Sequence, residues 1–325
     1  MARIALPTKV SPLVAEGVAW ASFLESNLDR FQRTLDVPIG ARLGCGRFGC
    51  VFESRIPWVV KLTRDESEGP IWSYMSELLS DTDLTASLAA FLRVHDVVRI
   101  RPDVVFNDEV QPVFAIVREQ AEPVFDQVEV VNPRDKYDTS FETALSAQTL
   151  KILGVTSAAL KRADLQTPVL YKRMSERIEM FPKGVQTQFA ELHLAIQGTR
   201  SYRQFADVFH RLRWKPNKTA AENMQAAETE AMLLAACSVL ERLELSRELG
   251  VTLAIAHTEA DLIFRDLHLY NIGWRTHRVI DGQKLPQCMV ILDPGAMATP
   301  YMPEIREVTL LKNAGGYLRN AGLID

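Results

Sequence analysis

Two oxygen-bearing side chains, Asp266 and Asn271, stand five residues apart in FRDLHLYNIGW, residues 264–274. A carboxylate in such a loop can align and deprotonate an attacking hydroxyl, and an amide oxygen can ligate Mg²⁺. Asp293 directly follows an apolar run in VILDPGAM, where an ionised carboxylate is costly unless a metal or a donor meets it. Hard oxygen donors in this arrangement suit a magnesium nucleotide. Far upstream, LGCGRFGCVF (43–52) carries Gly44, Gly46 and Gly49 followed by Val51. Glycine lets backbone amides approach phosphate oxygens without interference from a Cβ. Dinucleotide-binding loops share this spacing, but they join a strand to a helix, whereas here strand-like sequence lies on both sides.

Lys61, within the apolar strand pattern WVVKLT, requires an anionic partner, because an unpaired buried ammonium is costly. Phosphate oxygens or a helix glutamate would serve. Two glutamates compete. A helix that includes Glu68 places Glu68, Ile71, Trp72, Met75 and Leu79 on one face and Glu77 nearly opposite. Pro70 and the capping pattern Asp65-x-x-Glu68 instead allow a helix that begins at Pro70 and leaves Glu77 as the partner.

These residues need elements to hold them. With 325 residues, 47% hydrophobic content and a net charge of −4, the chain can bury a sizeable core and has no global signal for nucleic acid or membrane. Cys45, Cys50, Cys237 and Cys288 lack paired metal-ligand spacing, and the start of the chain does not read as a signal peptide. These features predict a reducing cytoplasm. MLLAACSVL (232–240) is too short and too charged at its flanks to span a bilayer. The periodicity predicts a leading helix over 13–36 and three short strands between 41 and 63. A helix near 66–79 follows, then two strands separated by Asn107-Asp108. After Pro123, helices are expected at 141–153, 201–213 and 219–248. IGWRTHRVI and CMVIL read as a late hairpin with Asp281-Gly282 near its turn.

The order of glycine loop, Lys61, glutamate, D-x-x-x-x-N and strand-Asp-x-Gly resembles the protein kinase-like superfamily over residues 43–296. The resemblance implies an α+β, two-lobed protein kinase-like fold. Residues 1–122 would form an N-terminal extension and a lobe with a five-stranded antiparallel sheet plus one helix; residues 123–325 would form a mainly helical lobe. It also implies ATP-dependent transfer to a hydroxyl. Leu43, Gly44, Gly46, Gly49 and Val51 would cover the nucleotide, and Lys61, held by Glu68 or Glu77, would orient its phosphates. Asp266 would align the acceptor, Asn271 and Asp293 would hold Mg²⁺, and the backbone of Glu119 to Ala121 would, by position, hold the adenine. The acceptor implied is a protein Ser/Thr. The alternatives are a small molecule, because D-L-H-x-x-N resembles aminoglycoside and choline phosphotransferases, and a silent nucleotide-binding module.

Departures from the family pattern are informative. Phe264 replaces the usual His that braces the loop, His268 replaces a Lys, and Pro294 replaces the Phe of Asp-Phe-Gly. MPE (302–304) resembles the end of an activation segment but follows Gly295 too closely for a long regulatory loop. FHRLRWKPNK (209–218) reads as a solvated helix face leading into a turn, so no nucleic acid is expected. His193, His210 and His257 share no metal spacing.

Overall fold

The computed structural model describes residues 12–46, 48–80, 87–132, 135–213, 215, 217–294 and 297–298. It is an α+β protein. β1 (Arg42–Cys45), β2 (Gly49–Glu53), β3 (Trp58–Thr63), β4 (Val94–Phe106) and β5 (Glu109–Glu119) form a five-stranded antiparallel sheet in the order β1-β2-β3-β5-β4. The β4–β5 turn holds Asn107 and Asp108 at φ 51° and 64°, left-handed values that these residue types tolerate and that tight hairpins require. The expected five strands are therefore present.

All six β3 residues are buried, and alternation assigns them to two environments. Trp58, Val60 and Leu62 share a core with Trp20 and Leu24 of α1 (Pro12–Ser26) and Phe31 of α2 (Leu28–Gln32). The leading helix thus breaks near Asn27, whose side-chain amide donates to the Phe23 carbonyl at 2.8 Å. The opposite β3 face carries Val59, Lys61 and Thr63, and Lys61 meets Glu68 of α3 (Glu68–Ser80). Ile71, Trp72 and Met75 of α3 join a second core.

That second core is built mainly by the long helices that follow: α4 (Ala147–Ile152), α5 (Ser157–Arg162), α6 (Tyr171–Glu176), α7 (Lys183–Arg213), α8 (Ala220–Glu241) and α9 (Arg247–Ala260). Leu192 and Tyr202 of α7, Leu233 and Leu240 of α8, and Leu253 of α9 are fully buried in it. Thr219 and Glu222 close a capping box at the start of α8, which satisfies otherwise orphaned amides. No helix among the described residues is long and apolar enough to cross a membrane.

Three helix expectations change. Residues 141–145 belong to β8 (Asp135–Leu145), paired with β7 (Phe125–Asn132), and the helix begins only at Ala147. The alternation in FDQVEVV is the strand signal there. The helix predicted at 201–213 is the end of α7, which begins at Lys183, and the 219–248 helix ends at Glu241 before α9 starts anew.

Shorter strands complete the fold. β6 (Ala121–Pro123), β11 (Ile272–Arg275) and β14 (Met289–Ile291) form a small sheet in the order β14-β11-β6, while β9 (Val169–Leu170) extends the β7–β8 hairpin. β10 (Ile263–Phe264) pairs with β15 (Met297–Ala298). The expected late hairpin is two nested ones: β11 with β14, and β12 (Val279–Ile280) with β13 (Gln283–Lys284) around Asp281 and Gly282.

His210 on α7 gives a pH expectation. Burial, reinforced by Arg265 and opposed by Asp207, lowers its pKa from 6.5 to about 4. A His with a depressed folded-state pKa binds its proton more readily when unfolded, so stability falls as pH drops from about 6.5 toward about 4. A thermal-midpoint series across that window should show the decline, and His210→Gln should flatten it.

Candidate functional site

A cavity of about 440 Å³ opens between the glycine-rich β1–β2 hairpin, α3 and the loop that precedes β11. Most of the residues singled out by type and spacing line it: Gly44, Gly46, Gly49, Val51, Lys61, Glu68, Asp266, Asn271 and Asp293. They come from β1, the β1–β2 turn, β2, β3, α3, the loop before β11 and the segment after β14, spread from position 44 to position 293.

The Lys61 ammonium is ion-paired with the Glu68 carboxylate, and its Nζ lies 2.7 Å from Asp293 Oδ2. Glu77 is exposed on the far side of α3, so the competition resolves to Glu68. Pro70 is tolerated because it lies in the first turn, where its missing N–H removes no bond inside the helix. Burial lowers the Lys61 pKa, but the Asp293 and Glu68 carboxylates outweigh it and the net shift is upward. Lys61 is therefore firmly cationic. Burial dominates at Glu68 and raises its pKa against the pull of Lys61.

The loop from Phe264 to Asn271 is held from inside. Phe264 is 1% exposed and packs on Phe91 with ring centroids 5.4 Å apart. Its amide donates to the Tyr202 hydroxyl at 3.3 Å. Phe264 is thus an apolar anchor for the start of the loop. The Asn271 amide donates to the Asp266 carbonyl at 2.9 Å, which leaves its side-chain oxygen as the acceptor face. Asp266 lies 3.5 Å from Arg203 and 3.8 Å from His268 Nε2. The Tyr270 amide donates to His268 Nδ1 at 3.2 Å, so in the neutral ring Nε2 carries the proton and faces Asp266.

Of the glycines, Gly49 is required by space: a Cβ there would sit 2.7 Å from the Leu62 carbonyl and 2.9 Å from Thr63 Cβ. Gly44 has nothing within 4 Å. Gly49→Ala is expected to destabilise the protein by roughly 1–3 kcal/mol, whereas Gly44→Ala should stay within about 0.5 kcal/mol of wild type. Chemical denaturation of the two variants checks this contrast.

Three of the expected residues are not among those that line the cavity. Leu43 is 49% exposed and, with Glu119 and Ala121, does not line the cavity. β1 presents its side chains to solvent, which turns Leu43 outward. The Glu119 carboxylate is fully buried elsewhere, accepting from Arg275 Nε at 2.6 Å and Nη2 at 3.0 Å. Ala121 is in β6, opposite Arg275. The backbone amides of Glu119 and Gln120 donate to the carbonyls of Arg93 and Pro57, each at 2.8 Å.

Sequence reasoning also missed features. Cys45 and Cys50 face each other across β1 and β2 and form a disulfide, while Cys237 and Cys288 are buried free thiols. Two cysteines flanking a glycine-rich turn in a hairpin were the available signal. Because disulfides persist in oxidising surroundings or act as redox pairs, cysteine usage no longer supports a reducing cytoplasm. Arg118, inside the apolar strand VFAIVRE, also lines the cavity, and the rule that singled out Lys61 applied equally to it. The basic run is held within the protein: Arg213 pairs with Asp261 at 2.5 Å and Lys215 with Glu222. Trp214, Pro216, Gly295 and the MPE segment (302–304) lie outside the described residues.

Among the described residues, no group of three His, Cys, Asp or Glu side chains is placed to hold a metal ion. The donor set that is present, one carboxylate at Asp293 and one amide oxygen at Asn271, fits a Mg²⁺ that takes its remaining ligands from phosphate and water. No protein-family model, curated protein or solved structure matches the chain.

Proposed function

We propose that the chain is an ATP-dependent phosphotransferase of the protein kinase-like type, which transfers the γ-phosphate of Mg·ATP to a hydroxyl acceptor. One observation carries the reading: the Lys61–Glu68–Asp293 cluster shares a single cavity with Asp266, Asn271 and the glycine hairpin. Structural ion pairs alone give no reason for a solvent-accessible carboxylate, an oriented amide and an open glycine turn to face the same space. The two apolar cores, one under the sheet and one among the helices, support a two-lobed arrangement around that cavity.

In this reading, backbone amides of the glycine hairpin and the Lys61 ammonium bind and orient the phosphates, and Glu68 fixes the position of Lys61. Asp293 and Asn271 would hold Mg²⁺, which supplies charge neutralisation to the transferring group. Asp266 accepts the acceptor's hydroxyl proton at its carboxylate, with His268 and Arg203 limiting where that carboxylate points. Positioning and charge stabilisation would carry the rate.

The first acceptor class to test is protein serine or threonine; a small-molecule hydroxyl is the other. The purified chain, incubated with Mg²⁺ and γ-labelled ATP plus a cell extract split into protein and small-molecule fractions, should transfer label to one of them or to itself. Nucleotide binding with neither transfer nor hydrolysis would replace the enzyme reading with a silent binding module.

A further inference from the structure

β5 pairs Ile116 with Lys61 and Arg118 with Val59, so Arg118 projects from the same sheet face as Lys61. It lines the cavity and is 6% exposed. Its guanidinium stacks over the Trp72 ring at 5.4 Å, and the Trp72 indole N–H donates to Glu68 at 3.3 Å. Arg118 is thus built into the cavity wall, next to the lysine cluster.

Its charge is poorly met. The buried Nε finds no hydrogen-bond acceptor among the described residues. The nearby carboxylates are committed elsewhere, Glu68 and Asp293 to Lys61 and Glu119 to Arg275. Burial lowers the Arg118 pKa, and Asp293, Glu68 and Glu119 oppose this only through space. A guanidinium stays protonated in proteins, and leaving its buried Nε without an acceptor is costly. Its planar fork matches phosphate oxygens in a two-point contact that a lysine cannot make.

We propose that Arg118 is a second phosphate-binding cation of this cavity, so that the site recognises its nucleotide chiefly through the polyphosphate. This rests on the nucleotide-binding part of the proposed function and names what that site selects. The cavity lining supports it: Lys61 and Arg118 both face the cavity, whereas the strand-end residues Glu119, Gln120 and Ala121 do not line it. Selection therefore falls on phosphate count more than on the base. ATP and GTP should bind comparably, and adenosine should bind weakly.

Calorimetric titration of the full chain in Mg²⁺ with ATP, GTP, adenosine and inorganic tripolyphosphate tests the proposal. Wild type is expected to bind ATP, GTP and tripolyphosphate within about tenfold of one another, and adenosine at least about a hundredfold more weakly. Arg118→Gln should lower ATP and tripolyphosphate affinity by about 10–100-fold while its thermal midpoint is unchanged or raised, because a poorly satisfied buried charge has gone. Arg118→Lys, which keeps charge without the fork, should fall between the two.

ATP binding by Arg118→Gln equal to wild type would overturn the assignment and leave the phosphotransferase reading standing, as would ATP binding by wild type without tripolyphosphate binding. A lowered midpoint in both variants would make Arg118 a structural residue and also overturn it. Binding that follows the expected pattern with no transfer would uphold Arg118 and sink the enzyme reading. No binding of any phosphate compound to wild type would end both.

Discussion

Under the proposed phosphotransferase reading, Asp266→Ala is expected to slow phosphate transfer by about 10²–10⁴-fold and to leave Mg·ATP binding intact. The separation follows from where Asp266 stands. It is partly exposed on the cavity wall, with Arg203 at 3.5 Å and His268 at 3.8 Å as its ion-pair neighbours among the described residues, whereas the Lys61 ammonium that would meet the phosphates is held by Glu68 and Asp293. The backbone contact to Asn271 comes from the Asp266 carbonyl, not its carboxylate, so truncation leaves the amide oriented. Transfer would fall through kcat and not KM. If wild type and Asp266→Ala transferred label equally well, the general-base assignment would be lost.

The second large effect concerns stability. Arg275→Met is expected to destabilise the protein by about 3–5 kcal/mol, since it leaves a buried carboxylate without its counter-charge. Arg275 is 0% exposed; besides its two bonds to Glu119 it donates to the Ala89 carbonyl at 2.7 Å and the Phe91 carbonyl at 2.8 Å. Adding Glu119→Gln removes the stranded charge and should restore part of the loss, so the two changes will not be additive. Urea titrations of the single and double variants measure this. A single-variant cost under about 1 kcal/mol would mean that the pair contributes no more than a surface salt bridge.

The contrast between these two sites shows what the sequence could reveal. Gly49, Lys61, Glu68 and Asp293 were legible because each sits in a short pattern whose local logic demands a partner: a cation in an apolar strand, a carboxylate at a strand end, a helix phase that separates Glu68 from Glu77. The pairing of the Glu119 carboxylate was not legible because its partner, Arg275, lies 156 residues away, and no local pattern announces such a pairing. The 125–145 hairpin was missed for a different reason: its alternation competed with a helix-like run, ETALSAQTLKIL, that begins before the strand ends. Leu43 shows a third limit, since a motif fixes the order of residues but not which way an exposed strand turns its side chains.

The Arg275–Glu119 pair has a mechanical consequence. It rivets the end of β5 to β11 just where the chain passes from the sheet core to the helical core, and the β6–β11 ladder continues the seam. A junction fastened in this way resists torsion between the end of β5 and β11. The Cys45–Cys50 crosslink ties the two strands of the glycine hairpin to each other, so a displacement of either strand is passed to its neighbour.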